Sequence, residues 1–156
     1  MRFRKVVAVA AAAVLLISAG LAEENEKKIK RSELPPAVEK TVVEQSTGTT
    51  IQGFNQEKEN GQTFYEAEML VNGHSKDVLI DENGVIVEIE EQVELDKLDT
   101  AVKSGLRSKA GSGTIVKVES LTKKGKLVAY EAQVRKNGKR SEVQVGPDGA
   151  SLNHEE

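Results

Sequence analysis

The stretch YEAEMLVNGHSKDVLIDENGV, from Tyr65 to Val85, returns as YEAQVRKNGKRSEVQVGPDGA from Tyr130 to Ala150, 65 positions later. Both copies begin with Tyr-Glu-Ala, carry Asn-Gly in the middle and end on a second turn that contains Gly. A recurrence at a fixed period is typical of a duplicated supersecondary unit. The stretch therefore predicts one fold unit that occurs twice in the chain.

Apolar and other side chains alternate along both copies, which is the period of a half-buried β-strand. The Asn-Gly pairs that separate these segments are strong hairpin signals. The residues expected to face a helix are Tyr65, Ala67, Met69, Val78 and Ile80 in copy one and Tyr130, Ala132, Val134, Val143 and Val145 in copy two. The opposite strand face then carries Phe64, Glu66, Glu68 and Leu70 in copy one and Ala129, Glu131, Gln133 and Arg135 in copy two.

A helix is predicted before the strands of each copy. Leu34-Pro35-Pro36 opens the first, because proline is tolerated in the first helical turn, and Leu95, Leu98, Val102 and Leu106 form the apolar stripe of the second. We therefore expect an α+β fold of two repeats, each with one helix packed on a four-stranded antiparallel sheet. The repeats span residues 34–91 and 92–156. Their offset changes from 64 to 65 near the first hairpin, so a turn or bulge must absorb one inserted residue.

The N-terminal segment has the layout of a secretory signal peptide. Basic residues at positions 2, 4 and 5 precede an apolar core, and Gly20-Leu21-Ala22 provides a small-residue cleavage site. Residues 1–22 are therefore expected to be a cleaved signal peptide, and residues 23–33 a polar tether. An uncleaved membrane anchor is the alternative, because the apolar run reaches the lower length limit of a spanning helix. After cleavage we expect an exported protein, periplasmic or extracellular, without stable membrane insertion.

Composition excludes several classes of function. The chain has no cysteine, which rules out disulfides and thiolate chemistry. Residues 23–156 contain 19 basic and 25 acidic residues, whereas nucleic-acid binders are normally basic. The charges are also divided, because residues 34–91 carry a net charge of −9 and residues 98–153 a net charge of +6.

Three patterns that could mark a site are better explained by structure. Asp81-Glu82-Asn83-Gly84 has the spacing of a calcium-loop fragment, but Gln92 stands where the loop needs a bidentate glutamate, so a hairpin turn is favoured. The two histidines, His74 and His154, are expected to be solvated on the surface. Glu66 and Glu68 could form a pair for acid–base catalysis only if burial separated their pKa values, and a solvated acidic strand is the favoured interpretation. No catalytic, metal or cofactor residue is predicted.

The repeat resembles the PepSY-like module, and more closely the tandem PepSY-like proteins grouped with the fold of the β-lactamase inhibitory protein (BLIP). In copy one the resemblance rests on Leu34-Pro35-Pro36, Tyr65-Glu66-Ala67 and Val78-Leu79-Ile80-Asp81 followed by Gly84. Copy two lacks the proline pair and has Gly146 in place of Asp81. The resemblance implies an exported, non-enzymatic protein that binds or inhibits hydrolases, peptidases especially.

These observations together predict a binding module that contacts a protein or peptide partner through its sheet faces. The candidate contact residues are Phe64, Glu66, Glu68, Leu70, Glu131, Gln133 and Arg135. Binding of nucleic acid is not expected. The alternative is a protein that sequesters a ligand or cation with its acidic first repeat.

Overall fold

The computed structural model describes residues 26–59, 61–154 and 156. Eight strands follow one another in a single antiparallel sheet, in the order in which they occur in the sequence. The strands are β1 (Glu26–Lys28), β2 (Thr50–Glu59), β3 (Gln62–Val71), β4 (His74–Asp81), β5 (Ile86–Gln92), β6 (Thr114–Lys123), β7 (Lys126–Lys136) and β8 (Lys139–Val145). Helix α1 (Pro36–Gln45) precedes β2, and helix α2 (Thr100–Ala110) precedes β6.

The prediction of two repeats with a separate four-stranded sheet each is wrong. Strand β5 pairs with β6, from Glu88 opposite Lys123 to Gln92 opposite Glu119, and this pairing joins both copies in one sheet. The second copy supplies only three described strands, and the expected last strand after Val145 is absent from the described residues. Two separate sheets would leave β5 and β6 as edge strands with unpaired backbone N–H and C=O groups. Continuous pairing across the copies satisfies those groups.

Part of the segment predicted to be a polar tether, residues 23–33, forms a strand. Residues Glu26–Lys28 pair with β2, from Glu26 opposite Glu57 to Lys28 opposite Asn55. The predicted signal peptide, residues 1–22, lies outside the described residues. Helices α1 and α2 have 10 and 11 residues, and within the described part of the chain no helix has the length and apolar character needed to cross a membrane.

Two hydrophobic clusters hold the helices on the same side of the sheet. Val38 and Val42 of α1 pack with Ala67, Met69, Val78 and Ile80. Val102 and Leu106 of α2 pack with Val118, Ala132, Val134 and Val145. Burying each Val, Leu, Ile or Met side chain among them contributes about 1.5–3 kcal/mol. The predicted helix-facing residues are confirmed, with Tyr65 inside the first cluster and Tyr130 and Val143 packed against the second.

The inserted residue of copy two is absorbed by a bulge. Leu121 pairs with Ala129 and Thr122 with Leu127, so Val128 has no partner of its own, while the matching part of β2 and β3 pairs without interruption. The bulge restores the strand faces after the one-residue change of offset. The predicted bulge or turn near the first hairpin is therefore confirmed.

Candidate functional site

The side of the sheet that carries no helix, called the open face below, holds the candidate residues. Directly paired residues of an antiparallel sheet project from the same face, so the register defines rows of neighbours. One row crosses the open face through Asn55, Glu66, Leu79, Glu88 and Lys123. The next row runs through Gly53, Glu68, Asp77, Glu90, Leu121 and Ala129.

The seven residues predicted from the sequence fall on this face in two groups. Phe64, Glu66, Glu68 and Leu70 lie along β3, and all four are half-buried. Glu131, Gln133 and Arg135 lie along β7, where the first two are half-buried and Arg135 is exposed. Strands β4, β5 and β6 separate the groups. The face is therefore continuous, although the predicted residues do not form one compact site.

An acidic pocket overlaps the first of these groups. A cavity of about 130 Å³ is lined by Glu57, Glu66, Asp77, Leu79, Glu88 and Glu90. Five of these six residues are carboxylates, contributed by the four neighbouring strands β2 to β5. We call this group of six residues the acidic pocket.

Asn55 fixes the orientation of two carboxylates beside the acidic pocket. Its Nδ2 donates to Glu66 Oε2 at 2.8 Å and to Glu68 Oε1 at 3.1 Å. The residue is only 1% exposed, and its Oδ1 has no hydrogen-bond partner among the described residues. A buried acceptor without a partner is costly, and this oxygen is closed off from solvent.

Two lysines of the second copy compensate part of the negative charge. Lys117 pairs with Glu119, whose side chain is 4% exposed, and Lys123 Nζ lies 3.4 Å from Glu88 Oε2. Among the described residues, no cation lies within 4 Å of Glu57, Glu66, Asp77 or Glu90. Most carboxylates of the acidic pocket therefore lack a direct ion-pair partner.

Burial and mutual repulsion raise the pKa values of these carboxyls. Burial raises the pKa of Glu66 to about 7, although the Asn55 hydrogen bond acts in the opposite direction. Burial likewise raises the pKa of Asp77 to about 6, against the attraction of Lys117. Burial and a hydrogen bond with Glu88 raise the pKa of Glu90. Each group is desolvated and its charged form is not fully compensated.

The interpretation of Glu66 as part of a solvated acidic strand is wrong. Its half-buried side chain and the raised pKa of its carboxyl meet the burial condition set for a catalytic pair. A catalytic acid must also reach a reacting atom, whereas Glu66 and Glu68 both accept a hydrogen bond from the same Asn55 amide. The geometry fits charge recognition better than proton transfer.

The other sequence patterns occupy the positions expected of structural elements. Asp81 Oδ1 accepts hydrogen bonds from the backbone N–H groups of Asn83 at 2.9 Å and Val85 at 2.8 Å. The predicted hairpin turn is therefore confirmed. His154 is exposed, as predicted, whereas His74 is the half-buried first residue of β4 and not a fully solvated side chain.

Several important residues of the open face were missed at the level of the sequence. Asn55, Asp77, Glu90 and Glu119 come from β2, β4, β5 and β6, whereas the candidate residues predicted from the sequence lie on β3 and β7 alone. Asp77 and Leu79 alternate with the buried Val78 and Ile80. The same alternation rule, applied to every strand, would have found part of this set. The neighbours across β5 and β6 required the register.

Comparison with solved structures identifies the fold. The chain is similar to a protein of Bacteroides eggerthii whose name assigns it to the periplasm, with a TM-score of 0.63, 17% identity and coverage of 78% of this chain and 88% of that one. It is also similar to a DUF2874 family protein of Bacteroides ovatus (TM-score 0.59, 20% identity, 78% and 86% coverage).

A BLIP-like protein of Bacteroides fragilis is a third similar structure, with a TM-score of 0.57, 20% identity and coverage of 78% of this chain and 86% of that one. No family model and no curated protein matches the chain. Both helices lie on one side of a single antiparallel sheet, as the register shows. The chain therefore has a BLIP-like α+β fold.

Proposed function

We propose that this chain is an exported, non-enzymatic binding module that docks a protein partner on its open face. The observation that carries the proposal is the asymmetry of the sheet. Both helices cover one side, while the other side presents the half-buried apolar residues Phe64, Leu70 and Leu79 beside charged ones. A sheet normally covers an apolar face with a second layer, and a partner would supply that layer.

The partner class and the location are parts of the same proposal. The BLIP-like fold and the resemblance to PepSY-like modules favour modulation or inhibition of a peptidase or another hydrolase. The predicted signal peptide and the similar protein that is named as periplasmic favour export to the periplasm or the exterior. The division into repeats at residues 34–91 and 92–156, and a cleaved segment 1–22, belong to this proposal.

A capture experiment tests the open face with a matched pair of variants. Leu70→Arg places in copy one the residue that copy two carries as Arg135, and Val43→Arg changes an exposed residue of α1 on the opposite side. Residues 23–156 are immobilised and used to capture proteins from an exported fraction. Leu70→Arg should reduce capture while Val43→Arg should not. Equal capture by the two variants would refute the assignment of the face, and captured hydrolases are assayed with and without the protein.

A second candidate function is cation sequestration, which two groups of carboxylates favour. Glu26, Glu57 and Glu66 form one group, and Asp77, Glu90 and Glu119 form the other, each with ligand oxygens within 4.8 Å of one another. Carboxylate oxygen is the ligand type that calcium prefers. Thermal unfolding with and without calcium or zinc chloride tests this function, which requires a raised Tm that Asp77→Asn abolishes.

A further inference from the structure

We propose that the partner docks through a cationic segment, whose lysine or arginine side chain enters the acidic pocket. The proposal rests on the proposed function, since it names the chemistry of the partner for the same open face. Three features of the open face support it: the carboxylates that lack an ion-pair partner, the apolar border of the pocket and the basic residues that lie beyond it.

The charge of the pocket favours a cation and opposes an anion. Glu57, Glu66, Asp77 and Glu90 have no cation within 4 Å among the described residues, and Glu88 alone of the five carboxylates pairs with a lysine. These groups are partly desolvated, so an incoming positive charge interacts with them more strongly than it would on an exposed surface. An exposed acidic patch that serves solubility would not need such burial.

The polar groups that line the pocket are acceptors. All of its polar side chains are carboxylates. Asn55 Nδ2 donates to Glu66 and Glu68 and so holds the Glu66 carboxylate in place at the pocket wall. Ammonium and guanidinium groups carry only donors, so they match a site lined by carboxylate oxygens.

The border of the pocket suits the aliphatic part of a long basic side chain. Leu79 lines the cavity, and Phe64 lies beside Glu66 on β3 as its open-face neighbour. Lysine and arginine place their methylene groups on apolar surface while the charged end reaches polar partners. An aromatic ring near the charge adds a cation–π attraction. A cavity of about 130 Å³ accommodates such a group.

The surrounding charges limit where the cationic segment can lie. Lys117 and Lys123 border the pocket on the side of β6, and Arg135 and Arg140 lie opposite each other on β7 and β8. A basic segment would be repelled there and attracted over β2 to β5. The basic residues of β6 to β8 therefore confine the docked segment to the part of the open face formed by β2 to β5.

A pair of synthetic peptides tests the inference directly. The probes are a capped nonapeptide of alternating lysine and serine and its counterpart of alternating glutamate and serine, titrated into residues 23–156 by calorimetry at pH 8 and low salt. The basic peptide should bind and the acidic peptide should not. Asp77→Asn combined with Glu66→Gln should weaken the basic peptide by at least about tenfold. Glu44→Gln, an exposed carboxylate on α1, is the control and should leave binding unchanged.

Each further result decides between the two proposals. Equal binding of both peptides, or equal weakening by Glu44→Gln, would overturn the cationic partner. Binding of calcium chloride alone, with no peptide bound, would overturn it as well. If the basic peptide does not bind while Leu70→Arg still abolishes partner capture, the inference fails and the proposed function stands. If the basic peptide binds as expected while Leu70→Arg leaves partner capture unchanged, the proposed function fails instead.

Discussion

The hydroxyl of Ser75 donates a 3.2 Å hydrogen bond to the carboxylate of Glu119. Ser75 belongs to β4 of the first copy and Glu119 to β6 of the second, so the bond crosses β5 and links the repeats. Glu119 is only 3% exposed and also pairs with Lys117. The boundary between the copies therefore contains a buried charge whose compensation comes from both.

Removal of Lys117 should leave that charge uncompensated. We expect Lys117→Met to lower the free energy of unfolding by about 2 kcal/mol, because an unpaired buried charged group costs roughly 1–3 kcal/mol or more. Urea denaturation measures the change. The double variant Lys117→Met/Glu119→Gln should lose less, since no buried charge remains. A single variant as stable as the unmodified protein would contradict the role given to this pair.

Stability should fall as the pH rises through the range in which the acidic pocket loses its protons. The folded pKa values, about 7 for Glu66 and about 6 for Asp77, exceed the reference values of 4.5 and 3.8. The folded state therefore binds protons more tightly than the unfolded state, and the associated stability is fully present below about pH 4 and lost by about pH 7.

Thermal unfolding between pH 4 and pH 8 measures this dependence, and Tm should decrease across the interval. The acidic neighbours Glu57 and Glu68 strengthen the effect, and Lys117 opposes it at Asp77. Glu66→Gln should flatten the profile, because it removes one titrating group. A Tm that rises steadily with pH, or a Glu66→Gln profile identical to the original, would show that these carboxyls are well solvated.

Two glycines with the same backbone conformation should respond differently to alanine. Gly84 has φ +84°, and a Cβ there would lie 2.6 Å from the backbone oxygen of Ala37 on α1; Gly73 has φ +85° with nothing within 4 Å. Both substitutions cost about 1–2 kcal/mol for the left-handed conformation. Gly84→Ala should cost a further 1–3 kcal/mol or so, because it pushes the helix from the turn. Equal losses in chemical denaturation would exclude close helix packing at Gly84.

Phe64 and Ile80 distinguish the open face from the core. Ile80 is fully buried in the first cluster, so Ile80→Ala should cost about 2–5 kcal/mol. Phe64 is half-buried and lies outside both clusters, so Phe64→Ala should lower stability by about 1 kcal/mol or less and lower Tm by only a few degrees. A loss at Phe64 as large as that at Ile80 would place it in a core that extends to the open face.

The sequence predicts the faces of the strands much better than their assembly. Tyr65, Ala67 and Met69 were assigned to the helix side because alternation is a local property of the chain. The change of offset between the copies predicts a turn or bulge near the hairpin, and a bulge lies at Val128. These features depend on neighbours within one repeat, which the sequence displays directly.

The pairing of the copies depends on long-range contacts that have no local signal. Glu88 and Lys123 lie opposite each other across the β5–β6 pair, but neither residue type indicates this in advance. The acidic pocket collects carboxylates from four strands, so it forms only once the register is set. Asn55 likewise belongs to the site only through its hydrogen bonds to Glu66 and Glu68 on the next strand.

The order of the strands has a consequence for how the chain can fold. Each strand pairs with the one that precedes it in the sequence, from β1 to β8. A chain that emerges from a narrow pore with its N-terminus first can therefore add each strand to the growing edge without waiting for a distant segment. Contacts between sequence neighbours also close with a low entropy cost. The last edge to form carries Lys139 and Arg140, whose like charges discourage a second molecule from continuing the sheet.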